Sequence, residues 1–271
     1  LKKNIDIDRL IDWQADFIAF ANKVELNNCI VEKGNDKGLV KGVGAQISGG
    51  VAAGIYIEAN NCSIKGINVG NGTDVLTSSG TYRTISGFLG AGSGKLQNIN
   101  VENVNISGVS EVAGGIFAYM DNADQIENCL VKNLNIKQRN NGEESISNGA
   151  YEGSIGGIGG ILENSSNPVK NNKVLNSTID IGIKIGGGLI GTTVSDVTID
   201  NCNVDNVTLN NPNIGYRQSA NESTQVTMGG LIGISSNVVI KNESVVKNSN
   251  IKINNLSFKY KGEKENILEN I

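Results

Sequence analysis

The chain has 271 residues and a formal net charge of −4; 38% of its residues are apolar but only 4% are aromatic. This charge leaves no basic surface for a phosphate backbone, so we expect no nucleic-acid partner, and no apolar stretch reaches the about 18 residues that a membrane-spanning helix needs. Abundant Gly and Asn, with many short β-branched runs, predict an all-β fold with many turns and a narrow aliphatic core.

The first segment, residues 1–25, is predicted to form an N-terminal capping helix. Its apolar residues recur at the three- and four-residue spacing of one helix face: Leu10, Trp13, Phe17, Phe20 or Ala21, and Val24. Such a helix would cover the end of a repeat array, where an open core and unpaired strand edges would otherwise promote aggregation. The alternative is a helix lying on a membrane surface, but the polar face of this segment is not rich in Lys and Arg.

Residues 26–255 are predicted to form a repeat domain. Six copies of one pattern tile residues 49 to about 253, and each reads as a Gly-Gly-aliphatic strand, an aliphatic-x-Asn-Cys-x-Val strand and an Asn-x-x-Ile strand. Alternation sends one set of side chains inward, and because a single copy cannot bury its apolar face alone, the copies are expected to stack. We therefore predict a parallel β-helix solenoid, right-handed and of six turns, preceded by an incomplete turn over residues 26–47.

Asn and Cys recur at the predicted bends of this solenoid. Asn tolerates the left-handed backbone conformation, and stacked amides can form ladders. Cys62, Cys129 and Cys202 fall on alternate turns, about 10 Å apart, which is too far for a disulfide, so we expect buried free thiols. Cys29, one turn below Cys62, forms the one plausible disulfide pair. Because the chain has no His and no Cys pair at metal-ligand spacing, we predict no metal and no cofactor.

The links between copies alternate in length, which predicts long loops along one edge of the solenoid. About 20 residues follow Val69, Ile136 and Leu209 before the next aliphatic anchor, against about ten after the copies between them. The long links contain Tyr82, Arg83, Arg139, Tyr151, Tyr216 and Arg217. Tyr and Arg are enriched at binding hot spots, and loops on rigid scaffolds carry binding residues, so these six are candidate ligand-binding residues. The alternative is that each Tyr packs its loop against the neighbouring turn while each Arg pairs with an acid.

The copies resemble the GLUG repeat, whose pattern is roughly Gly-Gly-Leu-x-Gly followed by Ile-x-Asn-Cys. The match is closest at residues 114–131, 187–204 and 229–246, whereas two copies have Ile99 and Asn172 where the others have Cys. The resemblance implies a bacterial secreted or cell-surface protein, such as an adhesin-like chain or a non-catalytic region of an IgA-cleaving metallopeptidase. We therefore expect a non-enzymatic scaffold or adhesin module that binds a host or matrix protein or a glycan.

The sequence begins at Leu1 and not at Met, so we expect a processed product or an excised fragment that already lacks any signal peptide. The last segment, residues 256–271, is charged and lacks the repeat, and it is predicted to be a C-terminal tail or cap. A structural stalk or filament segment that assembles end to end is an alternative function. It would leave the edge of the last turn uncovered for contact with another chain.

A polysaccharide-degrading enzyme is the other alternative, because parallel β-helices often carry lyases and glycosidases. The absence of His excludes Ser-His-Asp and Cys-His catalysis, but a glycosidase needs only two carboxylates about 5–10 Å apart. Acids near the predicted turns include Asp121, Asp124, Glu127, Asp196, Asp200 and Asp205. Glu127, Lys170 and Asp200 are expected to stack beside the Asn bends. The alternative to a catalytic role is that they are ordinary charges scattered over the surface.

Overall fold

A computed structural model describes residues 13–14, 22–32, 39–40, 47–49, 56–69, 84–109, 112–138, 153–181, 185–211 and 227–253. Within these residues the chain is all-β, without a helix. Its strands form three curled sheets, here called A, B and C, of 7, 10 and 12 strands, and paired strands run parallel. The predicted all-β fold with parallel strands is therefore confirmed.

The strands repeat as successive levels, each of which contributes to all three sheets. Levels 1 and 2 comprise β1 (Trp13–Gln14), β2 (Lys23–Asn27), β3 (Ile30–Glu32), β4 (Leu39–Val40), β5 (Ile47–Gly49), β6 (Tyr56–Asn60), β7 (Ser63–Lys65) and β8 (Asn68–Val69). Levels 3 and 4 comprise β9 (Thr84–Ser86), β10 (Leu89–Gln97), β11 (Asn100–Glu102), β12 (Asn105–Val109), β13 (Val112–Gly114), β14 (Phe117–Glu127), β15 (Leu130–Lys132) and β16 (Asn135–Gln138).

Levels 5 and 6 comprise β17 (Ser154–Gly156), β18 (Gly159–Ser165), β19 (Val169–Lys170), β20 (Lys173–Asp180), β21 (Ile185–Gly187), β22 (Ile190–Thr193), β23 (Val197–Asp200) and β24 (Asn203–Asn211). Level 7 comprises β25 (Thr227–Gly229), β26 (Ile232–Ser235), β27 (Val238–Lys241), β28 (Val245–Lys247) and β29 (Asn250–Ile253). The first strand of every level belongs to sheet A, the next one or two to sheet B, and the last one or two to sheet C.

The core lies between the three sheets and is aliphatic. Side chains alternate between buried and exposed along the strands, as in β2, where Val24 and Leu26 are buried between exposed neighbours. In sheet C one column of paired residues runs through the first six levels as Val31, Ile64, Val101, Val131, Val174 and Val204. Phe88 and Phe117 are the largest fully buried side chains. The other buried apolar side chains are almost all aliphatic, in agreement with the low aromatic content of the sequence.

The predicted helix over residues 1–25 is wrong where the structure describes that segment. Trp13 pairs with Ile47 in a parallel ladder, and β2 pairs residue by residue with β6. The apolar spacing is helical, but level 2 presents a row of backbone N–H and C=O groups that a strand can satisfy and a helix cannot. These strands form a first level that contributes to all three sheets, whereas the sequence predicts an incomplete turn over residues 26–47. Sheet A therefore has 7 strands and not six.

Asn occupies the bends that join the strands, as predicted. At the bend between sheets B and C, Asn61, Asn98, Asn128, Asn171 and Asn201 all have φ between 50° and 57°, the left-handed conformation that Asn adopts at low cost. Their amides also form ladders from level to level. The Nδ2 of Asn171 donates to the Oδ1 of Asn128 at 3.0 Å, and that of Asn201 donates to the Oδ1 of Asn171 at 2.8 Å.

Candidate functional site: the edge between sheets C and A

Three long links leave sheet C and enter sheet A at corresponding positions on every second level. Residues 70–83, 139–152 and 212–226 join levels 2 and 3, levels 4 and 5, and levels 6 and 7. On the departure side, Val69, Ile136 and Leu209 lie in one column of paired residues. Because neighbouring strands lie about 4.8 Å apart, the attachment points recur every 10 Å or so. The predicted alternation of long and short links is thus confirmed, because the long links follow every second level.

The sequence separations between stacked side chains show the same alternation. Asn103 and Asn133 are 30 residues apart, as are Asn171 and Asn201, across short links. Asn128 and Asn171, across a long link, are 43 residues apart. The structural unit is therefore a pair of levels, of which one is followed by a short link and one by a long link.

A buried polar residue lies at one end of each long link. Ser154, where residues 139–152 enter sheet A, is fully buried, and its Oγ donates to the carbonyl of Gly160 at 2.8 Å and lies 2.8 Å from the hydroxyl of Thr192. Thr84 is buried where residues 70–83 enter sheet A, and Asn211 is buried where residues 212–226 leave sheet C. The edge therefore provides fixed anchors, which is the arrangement in which loops carry binding residues.

The six candidate binding residues, Tyr82, Arg83, Arg139, Tyr151, Tyr216 and Arg217, lie outside the described residues. The structure describes the strands on either side of the segments that contain them. Their binding role stays a prediction.

Charged side chains alternate in sign along the outer face of sheet C. Glu102 lies between Lys65, with an N–O distance of 3.8 Å, and Lys132, with one of 3.7 Å. Asp205 and Lys247, further along the same column, form an ion pair of 3.4 Å. These pairs are partly exposed, so each contributes about 0–1 kcal/mol. Because opposite charges lie on neighbouring levels, this alternation favours the observed stacking of the levels.

Several of the acids that are candidates for catalysis have polar or charged neighbours in the stack. Glu127, Lys170 and Asp200 stack in adjacent levels as predicted. The Oδ1 of Asp200 accepts from the Nδ2 of Asn242 at 2.6 Å, and the Oδ1 of Asp205 accepts from that of Asn248 at 2.9 Å. The described residues include no group of three or more His, Cys, Asp and Glu that could hold a metal ion.

A polar cluster on the outer face of sheet B was not predicted from the sequence. The hydroxyl of Tyr56, on level 2, donates to the Oδ2 of Asp124, on level 4, at 2.6 Å, and lies 3.2 Å from the Oε1 of Glu58. The Tyr56 side chain can extend across level 3 to Asp124 because its partner on that level is the small residue Ser93. The ladder between β10 and β14 is also irregular at Gly94, which pairs with Ala123. The bond to Asp124 raises the pKa of the Tyr56 hydroxyl well above its usual value.

The cysteines are free thiols at the bend between sheets B and C. Cys62, Cys129 and Cys202 are buried, and each Sγ lies 3.3–3.5 Å from a main-chain carbonyl of the level before it. Their flanking residues pair through the ladder of sheet C, so they lie in one column. Ile99 and Asn172 occupy that column on the intervening levels. The predicted placement of these three cysteines on alternate levels and their predicted burial are both confirmed.

Burial raises the pKa of the Cys129 thiol to about 12 from an ordinary value of 9.0. Between these values the unfolded chain loses this proton while the folded chain keeps it, so folding stability falls as the pH rises above about 9. The expected slope is up to about 1.4 kcal/mol per pH unit. Urea unfolding in a reductant measures the free energy of unfolding at pH 8 and at pH 10. Between these two pH values it should fall less for Cys129→Ala than for the wild type. The control variant, Cys29→Ala, removes a half-buried thiol. If the free energy of unfolding falls equally in Cys29→Ala and in Cys129→Ala, this assignment is contradicted.

None of the described residues forms a helix long and apolar enough to cross a membrane. The chain matches no protein-family model, no curated protein and no solved structure. The resemblance to the GLUG repeat therefore stays a prediction, carried by the Gly-Gly and Asn-Cys segments of the sequence itself.

Proposed function

We propose that the chain is a right-handed parallel β-helix that acts as a non-enzymatic scaffold or adhesin module. The three parallel sheets, with levels in register and bends formed by Asn, support this architecture. In this proposal the protein is secreted or displayed on a bacterial cell surface. It binds a host or matrix protein or a glycan through the long links at the edge between sheets C and A.

The observation that carries the proposal is the repeated attachment of the long links at one edge. Residues 70–83, 139–152 and 212–226 each contain both a Tyr and an Arg, and together they hold three of the four arginines of the chain. Attachment points that recur every 10 Å or so would align these side chains along an elongated ligand. Aromatic and guanidinium groups provide large contact areas and directional hydrogen bonds, which are the features of binding hot spots.

A binding array of host matrix proteins and glycans tests the proposal. We expect the wild type to bind at least one member, and the variant with Tyr82→Ala, Arg83→Ala, Tyr216→Ala and Arg217→Ala to bind it at least about tenfold more weakly, since each hot-spot truncation costs roughly 1–2 kcal/mol or more. The control variant, with Lys170→Ala and Lys241→Ala, removes two exposed cations from sheet B and should bind as the wild type does. Equal weakening in both variants would place the binding surface elsewhere.

End-to-end assembly is a second candidate function, and one observation favours it. Level 7 exposes large apolar side chains, among them Val239 at 50% and Ile240 at 53% relative exposure. On level 1, Val24 and Leu26 are buried, and Ile30 is exposed. If level 7 meets another chain, sedimentation should show larger species as the protein concentration rises, and Val239→Lys should reduce them. A single monomeric species at every concentration would count against assembly.

A further inference from the structure

Cys29 and Cys62 occupy equivalent positions on levels 1 and 2. Their following residues, Ile30 and Ser63, are directly paired in sheet C, and the N–H of Ser63 donates to the carbonyl of Cys29 at 2.8 Å. The preceding residues are Asn28 and Asn61, with φ of 55° and 54°. Two bends of the same conformation, stacked about 4.8 Å apart, place the two Cβ atoms side by side.

This pair differs from every other combination of cysteines in the column. The Cα separation of paired residues on neighbouring strands falls inside the range of about 4.4–6.8 Å that a disulfide spans. Burial raises the pKa of the Cys62 thiol, and the neighbouring Cys29 thiol raises it further. Cys129 and Cys202, in contrast, are each separated from the next cysteine by a level that carries Ile99 or Asn172, so their spacing of about 10 Å exceeds the range.

We propose that Cys29 and Cys62 form a redox-active dithiol that closes to an intramolecular disulfide linking levels 1 and 2. Cys29 is half-buried and Cys62 is buried, so a disulfide oxidant such as oxidised glutathione meets Cys29 first. The Cys29 thiolate attacks one glutathione sulfur, and one glutathione thiolate leaves and takes up a proton. The Cys62 thiolate then attacks Sγ of Cys29, forming the protein S–S bond and releasing the second glutathione.

The closed disulfide would join the first two levels covalently at their bend. Among the described strands, those of level 1 lie at the ends of the sheet orders and pair with a neighbouring level on one side only. A bond to level 2 therefore restrains a level that is paired on one side, and oxidation should raise the midpoint of thermal unfolding. Reduction would reverse the change.

Thiol counting on the full chain tests the proposal. The reduced protein is treated with oxidised glutathione at pH 8, quenched in acid, denatured and alkylated. We expect two of the four thiols to be lost, with a peptide that links Cys29 to Cys62. In Cys29→Ala, all remaining thiols should be alkylated, whereas the control Cys202→Ala should form the same link as the wild type.

Several outcomes would overturn the proposal. They are the survival of all the thiols in the treated wild type, a disulfide that includes Cys129 or Cys202, a disulfide between two chains, and a stable glutathione adduct on Cys29 with Cys62 still free. Circular dichroism of Cys29→Ala and Cys29→Ser shows whether the variants keep the β fold. Since Cys29 is half-buried, both substitutions should be accommodated.

Discussion

Gly157→Ala is expected to destabilise the folded chain by about 3 kcal/mol, because a methyl group at this position has no space. A Cβ on Gly157 would lie 2.4 Å from the carbonyl oxygen of Gly188 on the next level and 2.6 Å from the Cγ1 of Val174. The first contact is with backbone, which can move only if levels 5 and 6 separate. Urea unfolding followed by far-UV circular dichroism measures the loss.

Gly230→Ala provides a matched control. Gly230 occupies the same place in the Gly-Gly motif, but on level 7, and a Cβ there would first meet Val246 side-chain atoms at 3.0 Å. Val246 is partly exposed and can shift, so the cost should be well under that of Gly157→Ala. Equal losses would mean that the glycines are required for their backbone conformation and not for the close approach of successive levels.

Asn172→Ala should cost about 3 kcal/mol, because it leaves two buried main-chain groups without partners. Asn172 is fully buried in the cysteine column. Its Oδ1 accepts from the N–H of Cys129 at 2.9 Å, and its Nδ2 donates to the carbonyl of Ile126 at 3.0 Å. Alanine removes both bonds, and the loss should appear as a lower midpoint of urea unfolding.

Two further variants separate the hydrogen bonds from the loss of packing. Asn172→Cys introduces a thiol that can donate to the Ile126 carbonyl, as the Cys129 thiol does to that of Leu96, so it should be less damaging than alanine. Ser244→Ala removes the corresponding bond to the N–H of Cys202, 3.1 Å long, on the partly exposed level 7, and should cost about 1 kcal/mol. If all three variants lose the same stability, the buried amide of Asn172 has no special role.

The repeat made much of the fold predictable. A level buries its apolar face only against its neighbours, so recurrence of the Gly-Gly and Asn-Cys segments predicts both the strands and their parallel order. The Asn bends and the cysteine column follow, because one conformational requirement recurs at each level. The alternation of long and short links was also readable, since it depends only on counting residues between anchors.

The parts that failed depend on contacts between distant residues. The segment around Trp13 has helical spacing, and only its pairing with Ile47 makes it a strand. The Tyr56–Asp124 bond spans 68 residues and needs the small side chain of Ser93 between them, which no local pattern reveals. The candidate binding residues depend on composition alone, because the repeat that predicts the strands does not extend into the links.

The pairing of a short-linked level with a long-linked one has a consequence for how such a gene can change length. Duplicating or deleting a single level would leave two levels of the same kind adjacent, so long links would either crowd onto neighbouring levels or be spaced too widely. Duplicating two levels together preserves this alternation, and it also preserves the alternation of Cys and non-Cys bends from level 2 onward. Recombination that lengthens this protein should therefore be tolerated in steps of two levels.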